Sequence, residues 1–252
     1  MAKRIFNSCA ANVYRMIFKN ARLFLVLVLL SSVICCVSFG VNDETMIVIS
    51  TLLFVMVWLV SLFFARQLLA GKKVKFRDGL YNAMTPIVST FVVAIVLLIQ
   101  CIPIIALIIA YSAAVETHLF NDMFYGSLFV LFAIVMVAIS VYLLSGTSMA
   151  LIAVSAPGMY PLKALQTTHD VMTHKRFGFM VEVLKILLAL LPAWLLVVGP
   201  AILIQLALQN FAGVVIPGFL QIIVFVISCF SIVYVAVYLY MYYRKVIKYD
   251  KK

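Results

Sequence analysis

The sequence predicts an all-α fold, a polytopic membrane helix bundle of six transmembrane helices, and three observations support that prediction. Hydrophobic residues make up 67% of the chain and charged residues 11%, whereas soluble domains hold about 45–50% and about 25%. Six apolar runs are each long enough to cross a hydrocarbon layer about 30 Å thick, which takes roughly 20 helical residues. The 19 Lys and Arg residues all lie in alternate polar segments between these runs, with Lys185 at the junction of its segment and the next run.

The distribution of the basic residues also predicts the orientation of the chain. Lys and Arg mark the cytoplasmic side of a membrane because they resist translocation. They occur only in the first, third, fifth and seventh polar segments. The remaining segments hold none and carry Asp43, Glu44, Glu116 and Asp122. We therefore predict a multi-pass protein of the plasma membrane with both termini in the cytoplasm.

The predicted spans form one integral membrane domain of residues 1–252. We place them at 23–41, 46–65, 84–114, 123–156, 182–209 and 217–243. The first two are expected to be antiparallel neighbours, because only the short turn Asn42-Asp43-Glu44 joins them. Spans three and four are longer than crossing requires, so they must tilt, kink or project beyond the lipid. Residues 157–161, PGMYP, are expected to break span four where it leaves the lipid.

Two cytoplasmic segments have the pattern of interfacial elbow helices that fix how the next span enters the membrane. Residues 5–22, IFNSCAANVYRMIFKNAR, mix apolar with polar and basic side chains, which suits a helix lying in the interface. Residues 161–180 begin with a proline, a favourable first helical residue, and place Leu162, Leu165 and Met172 on one face. Three basic residues there are expected to contact lipid: Lys163, Lys175 and Arg176. A regulatory or partner-docking role is the alternative.

Three prolines and one glutamine are the polar or disruptive features deep within the spans. Pro103, Pro192 and Pro200 each remove a backbone donor and crowd the preceding turn. Gln100 lies near mid-membrane, where a glutamine normally faces another helix. Two interpretations follow. Gln100 joins two helices by a hydrogen bond, or it lines a substrate cavity formed by kinked spans three and five.

The cytoplasmic edges of spans five and six carry two further patterns. Glu182 and Lys185 are three residues apart, which allows them to pair on one helix face. Tyr234, Tyr238 and Tyr242 form a stripe near the end of span six. Aromatic residues at that depth are typical of membrane-interface anchors.

Signatures of catalysis and metal binding are not found in the sequence. It contains no H-E-x-x-H, no G-x-S-x-G and no phosphate-binding G-x-x-x-x-G-K-[ST]. Two groups of residues have side chains that could bind a metal. One is His169, Asp170 and His174, and the other is Glu116, His118 and Asp122. Neither is expected to supply the three or four ligands that stable zinc sites need. We therefore predict no cofactor, no metal and no enzymatic activity.

The layout resembles a broad group of six-span bacterial membrane proteins without an assigned activity. Two stretches carry the resemblance: AANVYRMIFKNARLFLVLVLL at 10–30 and PLKALQTTHDVMTHKRFGFMVEVLKILL at 161–188. This pattern of elbow, basic residue and span is similar to the membrane domain attached to some glycerophosphodiester phosphodiesterases. The chain lacks the catalytic domain of those enzymes, so the resemblance transfers no activity and no functional residue.

The net charge of +11 lies in juxtamembrane clusters, which favours anionic membrane lipid over nucleic acid as the partner. The first functional hypothesis is a non-enzymatic protein that organises lipid or scaffolds partners. The alternative is a transporter, or a membrane subunit of one, for an apolar or neutral solute, based on Gln100 and the prolines. A lipid-modifying enzyme is a third hypothesis, supported only by the elbow histidines.

Overall fold

Helices account for nearly all of the residues that the structure, a computed structural model, describes. Those residues are 12–38, 43–117, 123–156, 158–173, 175–212 and 219–250, and they contain no strand. The helices are α1 (Asn12–Lys19), α2 (Ala21–Ser38), α3 (Asp43–Leu69), α4 (Phe76–Met84), α5 (Ile87–Gln100), α6 (Ile102–Glu116), α7 (Met123–Thr147), α8 (Ala150–Ala153), α9 (Pro161–Met172), α10 (Arg176–Ala212) and α11 (Phe219–Asp250). The all-α prediction is confirmed.

Four helices are long and apolar enough to cross a membrane by themselves. They are Thr45–Leu69, Met123–Ala153, Arg176–Gln209 and Phe219–Ile247. Two bent pairs raise the number to six if each pair forms one span: α1 with α2, bent by 75°, and α4 with α5, bent by 59°. Length and composition therefore give a membrane-embedded helical protein with four to six spanning elements.

Predicted span three is divided into two helices. α5 ends at Gln100 and α6 begins at Ile102, with Pro103 in its first turn. A proline is tolerated there because the first N–H groups of a helix have no intrahelical partner. Span four ends at Ala153, before the break that we predicted at 157–161; Pro157 itself lies outside the described residues.

The packing separates two compact units. Unit 1 contains residues 1–87 and 181–252, and unit 2 contains residues 88–180. Our prediction of one membrane domain over 1–252 refers to how the chain is embedded in the membrane and not to this division by packing, so it stays a prediction.

Unit 1 is built around the contacts among α2, α3 and α11. Large side chains that are nearly inaccessible form its centre, including Phe24, Phe64 and Tyr238. The ring centroids of Phe24 and Phe64 are 5.9 Å apart in an edge-on arrangement, which favours aromatic pairs. α1 joins this core through Val13, which is fully buried. The first predicted elbow is therefore a helix over residues 12–19 that packs on unit 1; residues 5–11 lie outside the described part.

The end of α3 is a glycine-capped turn. Gly71 has a φ of 72°, its N–H donates to the carbonyl of Leu68, and the N–H of Lys72 donates to the carbonyl of Gln67. These bonds define a Schellman motif, which satisfies carbonyls at the helix end and requires a left-handed residue. The turn reverses the chain directly before Lys72 and Lys73, and this places both lysines beside the end of α3.

Unit 2 contains the second predicted elbow, and the face that packs on the protein is a different set of residues from the apolar face predicted for the membrane surface. We predicted an apolar face of Leu162, Leu165 and Met172. Met172 is buried within the protein whereas Leu162 is 72% exposed, so the three residues do not form one face that packs on the protein, and their contact with lipid stays a prediction. α9 instead buries Ala164, Thr168 and Met172, four residues apart, against α7 and α8. Small side chains such as Ala164 allow helices to approach closely. A prediction based on large apolar residues therefore misses this face of α9.

Candidate functional site

A cavity of about 1070 Å³ lies within unit 1 at the end where α1, α3 and α11 meet. Six basic residues line it, and the lining contains no Asp or Glu. These six, the cavity cations, are Arg15, Lys19, Lys72, Lys73, Arg244 and Lys245. They come from sequence positions up to 230 residues apart, because α1, the turn after α3 and α11 all contribute to the cavity lining.

The backbone around the cavity explains why its cations converge. α1 buries Val13 on one side and leaves Arg15 and Lys19 exposed on the other; the two are four residues apart and so share a face. The Gly71 turn positions Lys72 and Lys73, as described above. On α11, the Arg244 Nη1 donates to the carbonyl of Leu69 at 3.3 Å.

The Arg244 contact is electrostatically favourable without any ligand. The last carbonyls of a helix carry partial negative charge, and Leu69 is the last residue of α3. A cation at that carbonyl is therefore stabilised by the helix end. Arg244 thereby holds this part of α11 beside the end of α3, and both Lys245 and Lys72 line the cavity.

Four of the cavity cations have no neutralising partner within the described residues. Arg15, Lys19, Lys72 and Lys73 form no ion pair with any carboxylate there. All four are solvent-exposed. Like charges gathered in one concave surface repel one another and attract anions, so this cavity is an anion-attracting site.

The rest of the cavity lining is mostly apolar. It includes Met16, Leu23, Leu68, Leu69, Val74 and Met241. A cavity with cations and apolar side chains together suits an amphipathic anion better than a small inorganic one. The amides of Asn12 and Asn20 add polar groups; the Asn20 side-chain N–H₂ also donates to the carbonyl of Met16 at 2.9 Å, which closes the end of α1.

A second polar cluster in unit 1 joins α10 to α11. The Lys185 Nζ donates to Glu182 Oε1 at 2.9 Å, which confirms the predicted pair. The Tyr238 hydroxyl donates to the other carboxylate oxygen at 2.6 Å. Tyr238 is 0% exposed, so its predicted role as an interface anchor is wrong. It is an interhelical hydrogen-bond donor.

The predicted residues within the spans fall into both units. In unit 2, the Thr147 hydroxyl of α7 donates to Gln100 Oε1, which is an interhelical contact of the packing kind. In unit 1, α10 continues through Pro192 and Pro200 without a break in the helix. Neither the basic cavity nor an apolar cavity of about 690 Å³ along α6 and α7 is lined by Gln100 or by the three prolines. A solute cavity at these residues stays a prediction.

The basic residues of the second elbow differ in their surroundings. Lys163 is exposed, whereas Lys175 is half-buried. The Arg176 guanidinium lies 4.2 Å from the centre of the Tyr142 ring, and its Nη2 is 3.0 Å from Nε2 of His169. A guanidinium has only donors, so His169 Nε2 accepts. The predicted lipid contact of these three residues stays a prediction.

Gly146 of α7 lies against that arrangement in unit 2, and an added Cβ atom there would make only ordinary contacts. A Cβ atom at position 146 would lie 3.4 Å from the His169 ring and 3.5 Å from the Arg176 guanidinium. Among the described residues, no three His, Cys, Asp or Glu side chains cluster as a metal site would require. His118, Asp122 and His174, which we considered as ligands, lie outside the described part.

Comparison of the chain with known protein families, with curated proteins and with solved structures gives no match. The site is therefore defined by its own geometry. Sequence reasoning found every basic residue of the cavity but treated them as separate juxtamembrane clusters. The missing signal was Gly71: a glycine directly before Lys72 and Lys73 at the end of an apolar run predicts a helix cap that turns both lysines back.

Proposed function

We propose that the protein is a six-span membrane protein of the plasma membrane, with both termini in the cytoplasm, that binds and organises anionic phospholipid without catalysing a reaction. The basic cavity of unit 1 is the observation that supports this proposal. Six cations and an apolar lining form one concave surface, and basic pockets between transmembrane helices on the cytoplasmic side suit anionic head groups. Phosphate is the complementary group, because Arg presents paired donors to it and Lys a point charge.

The orientation and the site support each other. The helix ends that carry the cavity cations belong to the first, third and last polar segments, all of which the charge distribution assigns to the cytoplasm. An anionic head group in the inner leaflet would then lie at the level of the cavity. The resemblance to six-span bacterial membrane proteins agrees with this layout and contributes no residue to the site.

The test compares two double variants of the same segment. Lys72→Gln/Lys73→Gln removes two cavity cations. Lys75→Gln/Arg77→Gln removes two exposed basic residues that do not line the cavity, at equal cost in net charge. Each basic residue near an anionic surface contributes about 1 kcal/mol, so the first variant should bind anionic lipid about 30-fold more weakly. The control should bind within about 3-fold of the unchanged protein, because its two side chains are exposed and lie outside the cavity lining, where water weakens their attraction to a bound anion.

The measurement is the binding of the purified full-length protein to phosphatidylglycerol in neutral detergent micelles, with phosphatidylcholine as the zwitterionic reference. Equal weakening in both double variants would show a diffuse basic surface in place of a site. Equal affinity of the unchanged protein for the two lipids would contradict the proposed function.

A further inference from the structure

The cavity cations are arranged in three pairs on separate elements. The α1 pair is Arg15 and Lys19, the turn pair is Lys72 and Lys73, and the α11 pair is Arg244 and Lys245. The turn pair and the α11 pair belong together, because Arg244 is hydrogen-bonded to Leu69 at 3.3 Å and Lys72 follows Leu69 by three residues. The cavity cations therefore form two groups, which we call the two basic poles: the α1 pair is one, and the turn pair together with the α11 pair is the other.

A single phosphodiester carries one negative charge, which cannot neutralise both poles, because together they hold six cations. The cavity volume of about 1070 Å³ lies just above the range of about 300–1,000 Å³ that ligand pockets usually have. A ligand with one phosphodiester therefore leaves most of this positive charge unneutralised. Described residues do not neutralise the α1 pair or the turn pair either.

We infer that the cavity binds a phospholipid whose head group carries two phosphates, one at each pole. This inference rests on the proposed function, because it specifies the ligand of the same cavity. The α1 pair holds one phosphate, and the turn and α11 pairs hold the other. The apolar lining, which includes Leu23 and Leu68, accommodates the proximal acyl chains. A soluble diphosphate carries the charges but has no group for the apolar lining.

The experiment measures equilibrium binding of the full-length protein in neutral detergent micelles to four probes. These are a short-chain dimeric phospholipid with two phosphodiesters, short-chain phosphatidylglycerol with one, inorganic pyrophosphate and inorganic phosphate. A second phosphate that contacts two basic residues should tighten binding about 30-fold. The two-phosphate lipid should therefore bind about 30-fold more tightly than phosphatidylglycerol, and both soluble anions more weakly than the lipid that matches them in phosphate number.

The variants assign the two phosphates to the two poles. Arg15→Gln/Lys19→Gln should abolish the 30-fold preference for the two-phosphate lipid over phosphatidylglycerol, because it weakens the binding of the two-phosphate lipid only. The conservative variant Arg15→Lys/Lys19→Arg should restore the preference. Unchanged unfolding midpoints without lipid would establish that the variants fold, as expected for exposed side chains without ion-pair partners in the described residues.

The outcomes separate this inference from the proposed function. Equal affinity for the two lipids, or an undiminished preference in Arg15→Gln/Lys19→Gln, overturns the inference and leaves anionic lipid binding standing. If pyrophosphate binds as tightly as the two-phosphate lipid, the inference that the two phosphates belong to a lipid is overturned. Failure of both lipids to bind better than phosphatidylcholine overturns the proposed function as well.

Discussion

At the scale of single residues, Glu182 is the most constrained charged group that the structure describes. Its side chain is 7% exposed, both carboxylate oxygens have partners, and those partners are Lys185 and the fully buried Tyr238. A buried charge is costly unless it is paired and hydrogen-bonded. The arrangement therefore joins α10 to α11. A second interhelical bond, from Trp194 Nε1 to the Ser231 hydroxyl at 2.9 Å, shows that the two helices run antiparallel.

We expect Tyr238→Phe to destabilise the protein by about 1.5–3 kcal/mol, because it removes a hydrogen bond to a charged group inside the protein. Glu182→Leu should cost about 3–5 kcal/mol, since it leaves Lys185 without its carboxylate. The measurement is the unfolding midpoint in a denaturing-detergent titration. Tyr81→Phe is the control, because Tyr81 is 79% exposed. Identical midpoints for Tyr238→Phe and Tyr81→Phe would show that the buried hydroxyl contributes nothing.

At the scale of elements, the helix ends and close approaches determine where the functional side chains lie. α4 packs directly on α3 at Gly79, where an added Cβ would lie 2.2 Å from the Phe64 ring. That ring is itself buried between Phe24 and Phe76, so it has little freedom to move. Close packing of this kind fixes α4 against the end of α3 that carries the turn pair.

Gly79→Ala should therefore cost about 1–3 kcal/mol through overpacking. Gly178→Ala is the matched control, because a Cβ at position 178 meets nothing within 4 Å and alanine favours a helix over glycine. We expect the control to be neutral or slightly stabilising in the same unfolding titration. If the two alanine variants unfold at the same point, the contact between α4 and Phe64 is loose.

At the scale of the whole molecule, charge asymmetry is the dominant property. All 19 Lys and Arg residues belong to alternate polar segments, and six of them meet in one cavity of unit 1. The alternation of basic segments biases the orientation of the chain during insertion, whereas the meeting of six basic residues in one cavity is a consequence of folding. The same residues thus set the proposed orientation and form the proposed lipid site.

A reporter that is active only in the cytoplasm should be active when it is fused after Lys252. A reporter that is active only outside the cytoplasm should be active when it is inserted at Asp43. The physical reason is the bias of nineteen basic residues to none. Adding two lysines beside Asp43 should lower the fraction of correctly inserted protein, whereas adding two serines there should not. An external C-terminus would contradict the six-span arrangement, because an even number of spans places both ends on one side.

Much of the fold was predictable from the sequence because its signals are local. The apolar runs predicted the membrane helices, and Pro161 predicted the start of α9, where the structure has it. Glu182 and Lys185 were predictable as a pair, because helix geometry fixes a spacing of three residues. The division of span three at Cys101 was less accessible, since Pro103 is compatible either with a kink or with a new helix.

The sequence by itself determined the helical class, the membrane-embedding apolar runs and the charge pattern, because composition and short-range periodicity set these properties. Only the tertiary structure decided which face of α9 packs, that Tyr238 meets Glu182, and that three distant basic pairs share one cavity. These depend on contacts between residues far apart in the chain. Leu162 illustrates the reason: hydrophobicity ranks it above Ala164, yet the close approach of α9 to α7 and α8 buries the smaller residue and leaves the larger one exposed.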